Sequence, residues 1–252
     1  MMSSGFWAFV ARTLAESLEN WRYALFRMLF QPFVYLLVFG KILGQALPGN
    51  GYSLTVGPGI VAMLVMNTAL NCIGGLFSRG YYFRSMEGWL LAPLSLRALM
   101  LAWVTGTVLI ATFAGLIGSV LVYLLLGFQP VSPWMELLCL IYGAATFSFL
   151  CCIGYTLPAT PAKAQDFLAF LLMPMMFLGC TFFSYAMLEP PWNVVALLLP
   201  TTYLSEALRA AYGTVPSGLD ISAIAFGGSA VLALLFLLAD WAFRRRLRNF
   251  LW

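Results

Sequence analysis

Long uncharged stretches, separated by a few well-placed cations, constrain this chain more than any other feature of its sequence. Uncharged runs lie between Arg27 and Lys41, Lys41 and Arg79, Arg97 and Glu136, Glu136 and Lys163, Asp166 and Glu189, and Asp220 and Asp240. Several of them reach the roughly 20 apolar residues that a membrane-spanning helix needs. With hydrophobic residues at 62% and charged residues at 9%, the chain cannot clothe a water-soluble surface. The pattern predicts an all-α membrane protein with six transmembrane helices, near residues 24–44, 55–78, 99–126, 135–157, 165–185 and 220–243.

The cations orient these spans. With the N-terminus inside, Arg12, Arg22, Arg27, Arg79, Arg84, Arg97, Lys163, Arg244, Arg245, Arg246 and Arg248 are cytoplasmic, and only Lys41 and Arg209 of the 13 fall outside. That asymmetry is the positive-inside bias, which cations set and acids do not, so both termini are expected in the cytoplasm. The Arg244 to Arg248 cluster directly follows the last span, where such a cluster anchors a helix at an anionic leaflet and does not point to nucleic acid. The first 20 residues lack a short apolar core with a small-residue cleavage site, so no signal peptide is expected.

Composition also excludes chemistry. The chain has no histidine, which removes the commonest general base and metal ligand. Its five cysteines, Cys72, Cys139, Cys151, Cys152 and Cys180, fall within predicted spans without metal-ligand spacing or a disulfide framework. Neither a catalytic site nor a metal site is expected. At 252 residues with no shift in composition, residues 1–252 are expected to form one membrane domain.

Along the chain, Phe6, Trp7, Phe9, Val10, Leu14 and Leu18 recur at helical spacing around Arg12, Glu16 and Glu19. They predict an amphipathic helix in the cytoplasmic interface, an ordinary cytosolic start being the alternative. Pro32 sits early in the first span, where its missing amide is tolerated or kinks the helix. Pro48, Gly49, Asn50 and Gly51 mark a short external turn. Small residues four apart, Ala111, Gly115 and Ser119 and again Ala144, Ser148 and Cys152, predict close helix contacts. From Pro190 to Gly213 the chain is apolar but interrupted by Pro190, Pro191 and Pro200. A seventh span there would export the C-terminal arginines. The segment is therefore expected to form an external re-entrant hairpin of two helices, about 190–198 and 201–212, with Glu206 and Arg209 paired at spacing three.

The long internal segment "SRGYYFRSMEGWLLAPLSLR" places Met86, Trp89 and Leu90 on one helix face beside Glu87, with Arg79, Arg84 and Arg97 around them and Pro93 ending the helix. An apolar ridge next to one acid suits docking into a groove of a soluble partner. A helix lying on lipid would look the same.

Four elements in this order resemble the permease subunits of type-2 ABC exporters, a family that includes multidrug, nodulation-factor and polysaccharide exporters. They are the N-terminal interface helix, "YSLTVGPGIVAM" entering the second span, "MEGWLLAPLSLRAL", and "LEPPWNVVALLLPTTYLSEALRAAYG" before the last span. The resemblance covers nearly the whole chain. It implies that residues 80–96 form a cytoplasmic coupling helix contacting an ATPase subunit through Arg84, Met86, Glu87, Trp89 and Leu90. It also implies that Pro191, Trp192, Pro200, Glu206 and Arg209 belong to the family's external re-entrant pair. The segment "LENWRYALFRMLFQPF" lacks the Arg-Tyr and Leu-Gly-Trp pattern of O-antigen and teichoic-acid permeases, which disfavours a large polysaccharide cargo.

No GxxxxGK followed by Ser or Thr occurs, so a phosphate-cradling loop is not expected in this chain. ATP and Mg are expected on two copies of a separate ABC ATPase subunit, working with a second copy of the permease in a prokaryotic plasma membrane. Phe167, Phe170, Met173, Met175, Met176 and Phe177 would suit a hydrophobic or amphipathic cargo, a drug or lipid, if they line a shared cavity; a lipid-linked oligosaccharide is the runner-up. An ion-coupled carrier is the alternative of another class. It would need ionisable groups at mid-membrane, whereas Asp166, Asp220 and Asp240 lie near span ends.

Overall fold

The computed structural model describes residues 4–19, 21–46, 51–83, 88, 94–158, 160–213 and 217–248, and every regular element among them is a helix. α1 (Ser4–Leu18) is followed by α2 (Trp21–Tyr35), which runs on through π-helical turns over Leu36–Leu43 and a last turn at Gly44–Ala46. Then come α3 (Gly51–Tyr82), α4 (Leu96–Leu126), α5 (Pro133–Thr156), α6 (Pro161–Leu178), the short α7 (Trp192–Leu197), α8 (Pro200–Tyr212) and α9 (Ile221–Arg248).

Among the described residues five stretches are long and apolar enough to cross a membrane: Leu29–Ala46, Gly51–Tyr82, Leu96–Leu126, Pro133–Thr156 and Ile221–Arg246. They fall on five of the expected spans, and the chain is a multi-pass membrane protein. The remaining span, expected at 165–185, differs. α6 has 18 residues and ends at Leu178, and Lys163, Gln165 and Asp166 dilute the apolar character of its first turns. Beyond Leu178 the chain cannot continue as helix. Gly179 lies so close to Thr201 that an added Cβ would stand 1.7 Å from the hydroxyl oxygen, and Cys180 turns to a φ of 57°. The backbone there is pressed against α8 and changes direction.

Helix ends follow local chemistry. Ser95, Ser132 and Thr160 accept hydrogen bonds from the amides of Ala98, Met135 and Lys163, satisfying donors that the first turn leaves open. Pro133 and Pro161 occupy first-turn positions that need no donor. Gly127 and Gly213 close α4 and α8 at φ of 80° and 63°, the left-handed conformation that glycine adopts without a Cβ clash.

Among the described residues the core forms as two large clusters and a small one. One large cluster contains Leu36, Val56, Ile60, Leu140, Phe147 and Leu204. The other contains Ile73, Phe77, Trp103, Tyr155 and Phe243. α6 touches both, through Ala164 and Leu168 in the second and Leu172, Met175 and Met176 in the first. The small residues spaced by four lie at contacts, as expected. An added Cβ at Gly115 would come within 2.6 Å of Leu140, and Ala144, Ser148 and Cys152 are wholly buried. The amphipathic α1 spends part of its apolar face on protein. Phe6 and Val10 cluster with Ala102 of α4, and Thr13 lies 2.8 Å from the position of a Cβ at Gly106. Trp7 points away, exposed.

Candidate functional site

Arg84, Met86, Glu87, Trp89 and Leu90, the expected docking residues, lie outside the described residues. What holds both ends of their segment is described. On the incoming side, Arg79 near the end of α3 donates to the Glu16 carbonyl at 3.2 Å and faces the Glu16 and Glu19 carboxylates at 3.6 and 3.7 Å. On the outgoing side, Leu94 packs 3.6 Å from the Cβ position of Gly5. Both ends of the segment are thus seated on α1. One turn further, Arg97 grips Asp240 of α9 with a bidentate fork, Nε to Oδ1 at 2.9 Å and Nη2 to Oδ2 at 2.9 Å. Arg244 donates to the same carboxylate from within α9.

The hairpin residues come together differently. Pro191 precedes α7 and Trp192, its first residue, is exposed. Pro200 opens α8 and is buried, its missing donor costing nothing in the first turn. Thr202 and Tyr203 of α8 donate to the carbonyls of Ala196 and Leu197 in α7, at 2.6 and 2.8 Å, and Thr201 donates to Met175 of α6 at 3.0 Å. These bonds satisfy carbonyls that a broken helix exposes.

Beneath them lies the Glu206–Arg209 pair, at 2.8 Å with both side chains fully buried. The expected pairing is present, but it is far from local. Arg209 Nε donates to the Thr55 carbonyl of α3 at 3.1 Å, and Nη2 donates to the carbonyls of Cys180 and Thr181. Glu206 accepts the amides of Tyr185 and Gly218 at 2.8 and 2.7 Å, with Ser184 at 3.5 Å. A guanidinium's planar fork reaches several acceptors at once, which an ammonium cannot do. Burial of two charges is tolerated only when their remaining hydrogen bonds are met, and here they are. One pair therefore knots α3, α8, the segment after α6 and the loop before α9. Gly59 of α3 lets this knot close, since a Cβ there would stand 1.8 Å from the Thr181 carbonyl oxygen.

A second buried polar group went unrecognised in the sequence. Glu136, in the first turn of α5, is 4% exposed; the Ser119 hydroxyl of α4 donates to its carboxyl oxygen, and the Tyr212 hydroxyl of α8 lies 3.4 Å from it. Nothing in the sequence pairs it with Ser119 or Tyr212; the fold brings both to it.

The cargo-facing candidates separate into two sets. Phe167, Phe170, Met173 and Phe177 form an exposed stripe along α6, while Met175 and Met176 are buried in the core. α2 likewise exposes Phe26, Phe30, Phe33 and Ile42. The two faces are joined by Phe182, whose ring centroid is 4.9 Å from Phe39 and 5.5 Å from Phe177. Among the described residues no group of three His, Cys, Asp or Glu side chains is arranged to hold a metal ion.

Comparison with known proteins adds a family. The family described as ABC-2 type transporter matches residues 4–212. Inner membrane transport permease YadH of Escherichia coli (strain K12) is 26% identical over 220 residues, covering 86% of this chain and 85% of that protein. Heme exporter protein B of Pseudomonas aeruginosa is 31% identical over 121 residues, 48% of this chain and 54% of that protein.

Proposed function

Because the chain belongs to the ABC-2 type transporter family, we propose that it is the transmembrane permease subunit of an ATP-driven exporter that moves a hydrophobic or amphipathic cargo, a drug or a lipid, out of the cytoplasm or inner leaflet. The observation that carries the cargo class is the exposed Phe167, Phe170, Met173 and Phe177 stripe beside the aromatic face of α2. It offers dispersion and stacking surface with no hydrogen-bonding group for a free sugar. Heme, the cargo named for one relative, belongs to the same largely apolar class. A lipid-linked oligosaccharide is the second reading, since its lipid moiety could use the same stripe.

In this reading two permeases share a cavity, and two ATPase subunits, carrying ATP and Mg, sit beneath residues 80–96. ATP closes the motors, their movement passes through the coupling segments, and access to the cavity alternates; hydrolysis resets the cycle. The topology is six spans, with α6 as the fifth, both termini cytoplasmic, and α7 and α8 a re-entrant pair on the external side of a prokaryotic inner membrane. The run of α6 from one core cluster to the other supports its crossing.

The test is reconstitution. The permease should co-purify with an ATPase, and vesicles holding both should take up a hydrophobic dye only with ATP. Glu87→Arg should lower transport per ATP hydrolysed while the protein still inserts. Energised transport by the permease alone, driven by an ion gradient without ATP, would overturn the proposal in favour of an ion-coupled carrier.

A further inference from the structure

α9 is the least embedded of the long helices: only 11% of the residues in its apolar stretch are buried. Its polar side-chain contacts to the rest of the bundle, among the described residues, sit at two levels. Near its C-terminal end, Asp240 takes the bidentate fork of Arg97, and the Asp240 side chain is 5% exposed. Phe243, one turn on, packs edge-on against Trp103 at 5.6 Å and Phe77 at 6.3 Å. Near its N-terminal end, Gly227 and Gly228 admit the rings of Tyr203 from α8 and Tyr142 from α5; added Cβ atoms would meet them at 2.5 and 2.9 Å. The Tyr142 hydroxyl donates to the Gly228 carbonyl at 3.1 Å. Between these levels the helix is uninterrupted, with no proline inside.

We propose that Arg97 and Asp240 are positioning residues that clamp the start of α4 to α9, so that α9 acts as a strut carrying displacement of the coupling segment to the hairpin at the other end. Arg97 is the second residue of α4, immediately beyond the segment at residues 80–96. A shift of that segment moves Arg97, and the two-bond fork fixes both distance and angle to Asp240. A straight helix transmits the movement along its axis. At the far end Gly227 bears directly on Tyr203, which belongs to the same helix as Glu206 and Arg209. Arg244 plays a different part: it neutralises Asp240 from within α9, and among the described residues its hydrogen bonds go to Asp240 alone. The role in transport rests on the proposed permease function; the mechanical link does not.

Three variants separate the clamp from mere charge balance. Arg97→Gln removes the bond between helices yet leaves Asp240 paired with Arg244, so no buried charge is stranded and folding is spared. Arg244→Gln removes only the intrahelical pair. Arg97→Lys restores a single charged bond. In a cysteine-free chain carrying Ser217→Cys, next to Gly218 whose amide donates to Glu206, thiol labelling in membranes without nucleotide should quicken about threefold in Arg97→Gln, be unchanged in Arg244→Gln, and return partway in Arg97→Lys. In the reconstituted complex, Arg97→Gln should lower transport per ATP about tenfold with hydrolysis nearly intact. Equal labelling rates in Arg97→Gln and Arg244→Gln overturn the strut. Altered labelling with an unaltered transport ratio keeps the link and overturns its role in coupling. Altered labelling in a chain that binds no ATPase leaves the strut standing and overturns the permease reading instead.

Discussion

Arg209 shows how much one side chain can organise when its charge is buried with all three guanidinium nitrogens engaged. Its guanidinium reaches Glu206, Thr55, Cys180 and Thr181, so Arg209→Lys is expected to destabilise the protein although it keeps the charge, because an ammonium cannot span those acceptors. Arg209→Met alone, leaving Glu206 charged and buried, should cost about 3–5 kcal/mol in detergent unfolding, and adding Glu206→Gln should recover part of it. A double variant as unstable as the sum of the singles would contradict this account. The pairing itself was legible, since spacing three on a helix brings two side chains together. Its longer reach was not, because the other acceptors are backbone carbonyls that no residue type announces. Glu136 makes the complementary case. Glu136→Gln can still accept from Ser119 and Tyr212, so stability should change by less than about 1 kcal/mol, whereas Glu136→Leu takes an acceptor from both hydroxyls, Ser119 keeping only the Gly115 carbonyl, and should cost about 1–3 kcal/mol. Transport in the Gln variant separates mechanisms: an ATP-driven exporter retains it, and an ion-coupled carrier relying on this carboxyl loses it.

At the scale of elements, α3 carries the greatest demand for close approach, with two of its glycines facing opposite requirements. At Gly59 a Cβ would collide with the Thr181 carbonyl oxygen, whereas at Gly75 nothing lies within 4 Å. Gly75→Ala is therefore expected to stabilise α3 by roughly 0.5–1 kcal/mol, the helix-propensity gain, while Gly59→Ala should cost about 1–3 kcal/mol or more as the knot is forced open. Thermal unfolding of the two variants checks both signs. A sequence reader sees two equivalent glycines in an apolar helix; only the partner surface tells them apart. The same limit explains α6. Hydropathy predicts a span to residue 185, but the packing of Gly179 against Thr201 ends the helix at Leu178, a contact between residues far apart in the chain. The elements whose ends depend on local chemistry, such as α4 and α5 behind their Ser caps and α8 between Pro200 and Gly213, fell close to where the sequence places them.

At the scale of the whole molecule, the polar contacts group the chain's ends. Arg79 ties the end of α3 to α1, and Arg97 ties the start of α4 to the end of α9. The N-terminal helix, the segment between α3 and α4 and the arginine-rich end of α9 therefore share one end of the bundle. The Glu206–Arg209 knot, reaching Thr55 near the start of α3, sits at the other. In the proposed topology the termini share one side, which requires an even number of crossings, and α6 adds the remaining crossing to the five apolar stretches found among the described residues, despite Lys163 and Asp166 in its opening turns. Those two charges are affordable where a helix begins at a membrane surface. The expected outcome can be measured with single cysteines in a cysteine-free chain and an impermeant thiol reagent on intact cells. Ser217→Cys, at the end holding the knot, should label from outside, while Ser85→Cys and Asn249→Cys should label only after the membrane is opened. Labelling of position 249 from outside, with position 85 still protected, would mean an odd number of crossings. The Arg97–Asp240 clamp could not then exist in the membrane, because its two helix ends would lie on opposite sides.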